Sequence, residues 1–264
     1  MKVSGDAKIT RNLAQVGNGG AVYIKAGDFS MKEEGDKSPN ITYNSALGKN
    51  SDTKGHGGGV YVTSESEPVN VEVLSGTIQH NTSDGNGGGI CVDMAGTTVA
   101  ANIKIGADGI ESSTNPDITQ NESVMFGGGL YANGEKAMIT INGGIIMNNK
   151  VSNYVPNENV YNNKGTVTLL GGEVTHVIVT FDANAYKDNG ERDETALLNG
   201  KATDTQKIVT NTQSYLLQPA SITRNFYVLE KWNTRPDGTG KDYHNKDIME
   251  QKEDITLYAQ WKRQ

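Results

Sequence analysis

The chain has 264 residues, a formal net charge of −7 and 35% hydrophobic residues, enough for one or two domains. Its charge is spread rather than clustered, so the basic patch that a phosphate backbone needs is missing and nucleic acid is excluded as a partner. No run of about 18 apolar residues is present, which excludes a membrane-spanning helix, and the single cysteine, Cys91, excludes an internal disulfide framework.

The chain opens Met1-Lys2-Val3-Ser4-Gly5-Asp6, polar from the start. That is no secretory signal; either the signal was removed or this is an excised fragment. Two signatures then recur. The first is Ile-x-x-Asn, at Ile9–Asn12, Ile41–Asn44, Ile78–Asn81, Ile118–Asn121 and Ile146–Asn149. The second is a run of small residues followed by apolar, aromatic or Cys, apolar. It appears as Gly19-Gly20-Ala21-Val22-Tyr23-Ile24, Gly57-Gly58-Gly59-Val60-Tyr61-Val62, Gly87-Gly88-Gly89-Ile90-Cys91-Val92 and Gly127-Gly128-Gly129-Leu130-Tyr131-Ala132. Repetition of this kind means a repeat architecture. The residues after the glycines alternate with the period of a strand. Between the signatures lie short Val-, Ile- and Thr-rich runs such as Val69–Leu74, Ala137–Ile141 and Gly165–Leu170, and no helical period extends over 12 residues or more.

These features predict a right-handed parallel β-helix of the pectate-lyase-like kind over residues 1–175. At roughly 20 residues per coil, residues 1–172 would form about eight coils, with two coils to each repeat. Val22, Val60, Ile90 and Leu130 are expected to form one inward column, and Tyr23, Tyr61, Cys91 and Tyr131 the outward column beside it. Asn12, Asn44, Asn81, Asn121 and Asn149 are expected at turns, where Asn tolerates left-handed backbone, and to stack as an amide ladder.

Composition changes near residue 173. Of 32 glycines only Gly190, Gly200, Gly238 and Gly240 lie beyond it, and both tryptophans, Trp232 and Trp261, do. A second domain is therefore predicted over residues 176–264, with strands at Val177–Phe181 and Ile255–Ala259, a turn at Pro236-Asp237-Gly238, and the two tryptophans in its core. Asp237 and Asp242 lack the alternating carboxylates of a calcium loop and read as turn residues.

The two repeat signatures resemble the paired Gly-Gly-Ala-(Ile/Leu/Val) and Phe-x-x-Asn repeats of chlamydial polymorphic outer-membrane proteins, with Ile in place of Phe. Those are surface-exposed adhesins, which is what the resemblance implies here. The second domain, with Val179-Thr180-Phe181-Asp182-Ala183-Asn184, Trp232-Asn233-Thr234 and Leu257-Tyr258-Ala259-Gln260-Trp261, looks like an internalin B-repeat, also called the Listeria–Bacteroides repeat. Lys231 stands where that family has Gly, and residues 185–207 are longer than its pattern. This resemblance implies a small β-grasp module of α+β type.

Chemistry is sparsely marked. Residues 1–172 contain one arginine, Arg11, and scattered acids such as Glu65, Glu67, Asp84, Asp93 and Asp117. Neither a carboxylate pair nor a metal spacing among His56, His80, His176 and His244 is visible. No cofactor, metal site or catalytic residue is therefore assigned. The leading expectation is a non-catalytic protein of the bacterial cell surface or exterior, binding a host extracellular protein or a glycan, with Tyr23, Tyr61 and Tyr131 as the candidate binding column. The alternatives are a β-helix carbohydrate-active enzyme, lyase or hydrolase, and a purely structural spacer.

Overall fold

The computed structural model describes residues 1–49, 53–107, 115–152, 159–209, 214–249 and 251–264. The described residues are strands, turns and irregular segments without helix. They form two compact units, one of Met1–Thr175 and one holding His176–Thr210 and Tyr215–Gln264.

The first unit is a parallel β-helix. Each circuit of the chain contributes four short strands, and each strand pairs in parallel with its equivalent one repeat away. One wall, the broad sheet, stacks Lys2–Ser4, Gly27–Lys32, Val69–Val73, Ala101–Ile105, Ala137–Ile141 and Thr166–Leu169. The second wall stacks Lys8–Thr10, Asn40–Thr42, Thr77–Gln79, Asp117–Thr119, Ile145–Met147 and Glu173–Val174. The third is a narrow wall running from Leu13–Ala14 to Lys150–Val151, and the fourth, the glycine-signature wall, runs from Val22–Ile24 to Val160–Asn163. Ile9, Ile41, Ile78, Ile118 and Ile146 lie in one register. One circuit therefore equals one repeat, which corrects the expectation of two coils per repeat. Five circuits and two strands of a sixth are present, not eight, because each circuit has four strands and their loops and needs about twice the residues assumed.

Inside the stack, Ile41, Ile78, Ile118 and Ile146 form one buried column and Val60, Ile90 and Leu130 another. Like residues stacked at about 4.8 Å per coil bury a continuous apolar core.

The asparagine ladder is present and complete. Asn12 Nδ2 donates to Asn44 Oδ1 at 2.9 Å, Asn44 to Asn81 at 2.9 Å, Asn81 to Asn121 at 3.0 Å and Asn121 to Asn149 at 3.0 Å. Each donor's backbone N–H goes to the same oxygen. From Asn44 onward the second amide hydrogen turns back to the carbonyl of the repeat isoleucine one coil earlier, Ile9, Ile41, Ile78 or Ile118. The amides of Asn44, Asn81, Asn121 and Asn149 are thus saturated and buried, the state in which a polar group costs least.

Two features of the ladder differ from expectation. The left-handed residue is the one before each asparagine: Arg11, Tyr43, His80, Gln120 and Asn148 all have φ between 52° and 58°. The asparagine has the other task, closing the corner with its side chain. The ladder also has a sixth member. Asn149 donates to Asn159 Oδ1 at 3.1 Å, and Asn159 lies outside any Ile-x-x-Asn motif. It stands where earlier coils have their third glycine, since Ile90 N bonds Gly129 O and Leu130 N bonds Asn159 O. A Cβ on Gly129 would sit 2.7 Å from Asn149 Nδ2 and 2.6 Å from Asn159 O, which favours glycine there, whereas the first coil carries Ala21 at the equivalent position. In the last full coil a side chain at that position becomes the ladder's next rung.

The second unit is built on a mixed sheet in the order Thr203–Val209, His176–Asp182, Ile255–Arg263, Tyr227–Asn233 and Asp242–Tyr243. The central pair is parallel and its neighbours antiparallel. Trp232 is fully buried and meets Phe181 edge-on with ring centroids 4.7 Å apart. Trp261 is partly buried against the same core and donates its indole N–H to Ala183 O at 2.7 Å. The α+β expectation is corrected, because the described residues of this unit include no helix. The unexpectedly long segment 185–207 supplies most of a seven-residue strand, Thr203–Val209, and the turns leading to it. Gly190 and Gly200 in left-handed backbone, with local bonds such as Lys187 N to Glu191 O and Ala196 N to Asp193 O, break up any helical run. The Pro236–Gly238 turn forms as expected, with Asp237 Oδ1 accepting from Thr239 N and Oγ1.

Replacing Asn121 by Ala removes four hydrogen bonds inside the stack and is expected to cost about 3 kcal/mol in urea unfolding. Gln120→Gly, one residue away, relieves a left-handed side chain and is expected to leave stability unchanged within about 1 kcal/mol. Equal losses in the two variants would refute the ladder's role.

Candidate functional site

The glycine-signature wall places Tyr23, Tyr61, Cys91, Tyr131 and Tyr161 in one register column, facing away from the core. The column is outward but not open. Tyr23 is 51% exposed, whereas Tyr61 and Tyr131 are each 6% exposed and Cys91 is buried. Phe126 packs on Tyr161 with ring centroids 4.6 Å apart, Tyr161 stacks on Tyr131 at 5.9 Å, and His56 lies 6.5 Å from Tyr61. Loops between the walls thus fold over the column, and its rings pack on each other. The expectation of an exposed three-tyrosine binding column is corrected on this point: only Tyr23 is open to a ligand.

Burial, with the Asp93 carboxylate nearby, raises the pKa of these groups and so suppresses their ionisation. Tyr131 is pushed up to about 12, and Tyr61, whose hydroxyl donates to Asp93 Oδ2 at 3.3 Å, and Cys91 are also pushed up. All three are neutral and unreactive at physiological pH.

His56 belongs to the cover. Its Nδ1 accepts the Asn86 backbone N–H at 2.9 Å, and a Cβ on Gly85 would lie 2.5 Å from that nitrogen. Beside it, Asp84 accepts from Gly48 N and Gly55 N. Desolvation lowers the His56 pKa against the opposing pull of Asp93 and Asp84.

The corner carrying the left-handed residues is open. Tyr43 is 53% exposed. Its ring stacks on His80 with centroids 4.6 Å apart and planes 7° from parallel, and the Arg11 guanidinium lies 5.9 Å above it on the other side. Beyond His80 the corner opens into a hollow lined by His80, Gln120, Asn121, Glu122, Asn148 and Lys150. Neither Tyr43 nor His80 stood out in the sequence. The signal was the second variable position of Ile-x-x-Asn, which the repeat holds in one column outside the ladder.

The broad sheet carries a shallower groove. Asn70 Nδ2 donates to Asp28 Oδ1 at 2.9 Å and Asn102 Nδ2 to Asn70 Oδ1 at 3.1 Å, and the exposed Met138 and Leu170 border its far end. In the second unit, a hollow lined by Gln218, Ile222, Tyr227, Leu229, Trp232 and Trp261 is bordered by Arg224. That guanidinium sits 4.0 Å from the Tyr227 ring centroid and 5.5 Å from that of Trp261, and pairs with Asp193 at 3.0 Å. Hydrogen bonds from Thr195 and from Arg224 hold the Asp193 carboxyl below its usual range. Asp242, the other acid beside the turn, is engaged by Lys231 and Asn233. Among the described residues no three His, Cys, Asp or Glu side chains come together in a way that would hold a metal ion.

Residues 178–260 match the family model described as the Listeria-Bacteroides repeat domain, a repeat that points to a bacterial surface protein. Comparison with curated proteins and with solved structures finds no match.

Because His56 binds fewer protons in the folded than in the unfolded chain, its contribution to stability is full above about pH 6.5 and is lost as the pH falls below that value. His56→Asn offers a non-titrating acceptor in its place. Thermal unfolding at pH 7.5 and 5.5 is expected to show a larger drop in Tm for the wild-type chain than for this variant; equal drops would show that His56 does not carry the effect.

Proposed function

We propose that the chain is a non-catalytic protein of the bacterial surface or exterior that acts in cell adhesion. The β-helix presents a binding wall to a host extracellular protein or glycan, and the repeat module serves as a spacer or second contact. The observation that carries this reading is the Listeria-Bacteroides repeat match at residues 178–260, joined in one chain to a stacked parallel β-helix. The likeness of the Gly-Gly and Ile-x-x-Asn signatures to the repeats of chlamydial polymorphic outer-membrane proteins supports the adhesive part.

A wall of this kind suits adhesion because it is stiff. Every coil is hydrogen-bonded to the next along four sheets, so outward side chains are held in fixed rows about 4.8 Å apart. A ligand meeting preordered side chains loses less binding free energy to ordering them. The non-catalytic part rests on the outward acids. Glu72 sits beside Lys104 in register, Asp28 is spent on Asn70, and Asp117 Oδ2 accepts from Gln79. Each of these acids is matched with a cation or an amide, which favours a structural use over the paired carboxylates of glycoside hydrolysis.

The test is retention of the full chain on immobilised extracellular-matrix proteins and on a printed glycan array, with the same polysaccharides assayed for new reducing ends and unsaturated uronates. Binding without turnover is expected. Turnover would establish the enzyme alternative, and retention on no surface would leave the spacer reading in its place.

A further inference from the structure

At the left-handed corner of the β-helix, two amide side chains without hydrogen-bond partners among the described residues, Gln120 and Asn148, are set in a concave place beside an aromatic plate. We propose that this corner is a saccharide-binding site, with the hollow between His80 and Lys150 taking a sugar ring and the Arg11–Tyr43 end of the row taking the continuation of the chain. The proposal rests on the adhesion reading of the β-helix and names the ligand class and the site.

Three observations carry it. The first is the plate. Tyr43 covers one face of His80, and the hollow lies on the coils beyond, so the other face of His80 is the one turned toward it. An aromatic face of this kind packs against the apolar C–H face of a pyranose while its edge stays in water. The second is the hydrogen-bonding inventory. The side-chain amides of Gln120 and Asn148 have no hydrogen-bond partner among the described residues, although almost every other amide of this unit is engaged. Each offers a carbonyl acceptor and two N–H donors, the complement of neighbouring sugar hydroxyls that both donate and accept. Glu122, one coil-register step from Lys150, accepts from Ser152 Oγ through Oε1 and adds its other carboxylate oxygen as an acceptor beside an ammonium donor. The third is what the hollow omits. No aliphatic or methionine side chain lines it, so it lacks the apolar socket that anchors a peptide side chain. Its single lysine is far from the cation density that a nucleic acid requires.

The backbone explains why the row is preorganised. The backbone of each of these five residues is held in left-handed conformation by the ladder amide that follows it, so only the side chains remain to be ordered when a ligand arrives. The same geometry supplies a clean test, because glycine is the residue best suited to a positive φ. His80→Gly and Gln120→Gly remove the plate and the amide without endangering the fold.

The full chain would be titrated by calorimetry with soluble tetrasaccharides of glucose, galactose and N-acetylglucosamine. At least one is expected to bind, with on the order of tenfold weaker affinity in each glycine variant and an unchanged Tm. Tyr23→Ala, on the other wall, is expected to bind as the wild-type chain does. Failure of all three tetrasaccharides to bind at millimolar concentration would overturn the proposal. So would undiminished binding in His80→Gly and Gln120→Gly, which would move the site elsewhere while leaving the adhesion reading intact. A binding loss in Tyr23→Ala alone would assign the ligand to the tyrosine wall and overturn the corner.

Discussion

The hydrogen bond from one asparagine amide to the next is the contact on which the first unit depends. Parallel strands of two or three residues hold too few backbone bonds to define a corner by themselves. The ladder supplies the missing specification: each asparagine ties its own backbone N–H and its side chain to the coil on one side and to an isoleucine carbonyl on the other. Because the bonds saturate one another in a buried column, shifting one coil by a single residue would leave amides without partners on both sides. The small third residue of the other signature, Gly59, Gly89 and Gly129 with Ala21 in the first coil, packs against this contact, since the ladder amide lies close to where a Cβ would reach. The two recurring motifs are therefore two sides of one contact.

The ladder also shapes the outer surface. To aim an asparagine inward at each corner, the preceding residue takes left-handed backbone at a cost of order 1 kcal/mol when it is not glycine. Five coils place Arg11, Tyr43, His80, Gln120 and Asn148 there. Glycine would meet that backbone without the steric penalty, at an entropic cost of similar size. The side chains retained are aromatic, cationic or amide, and they form the open row, while the more conspicuous tyrosines of the glycine signature lie mostly covered.

Much of this was legible in the sequence. Repetition of Ile-x-x-Asn gave the stacking and the ladder, and the glycine signature gave the inward column of Val22, Val60, Ile90 and Leu130, because stacked coils place equal residues in equal environments. The number of coils was not legible: strand runs reveal a period of two residues but not how many strands close a circuit. Burial of Tyr61 and Tyr131 was not legible either, since loops of variable length carry Phe126 and His56 over the column, and no periodic signal marks where a loop folds back. In the second unit the strands around Phe181 and Leu257 could be read from alternation, and the burial of Trp232 from its bulk, but not the strand Tyr227–Asn233 that carries it. The absence of a helix among its described residues could not be read either, because no periodic pattern marks the turns at Gly190 and Gly200.

The central claim is that the asparagine side chains are structural bonds of the core and not surface amides. The direct measurement is hydrogen exchange of side-chain amides by NMR in the full chain. Asn44, Asn81, Asn121 and Asn149 are predicted to exchange as slowly as the backbone amides of the buried strands, with the Gln120 amide exchanging at the rate of a solvated side chain. Ladder amides exchanging as fast as Gln120 would contradict the account.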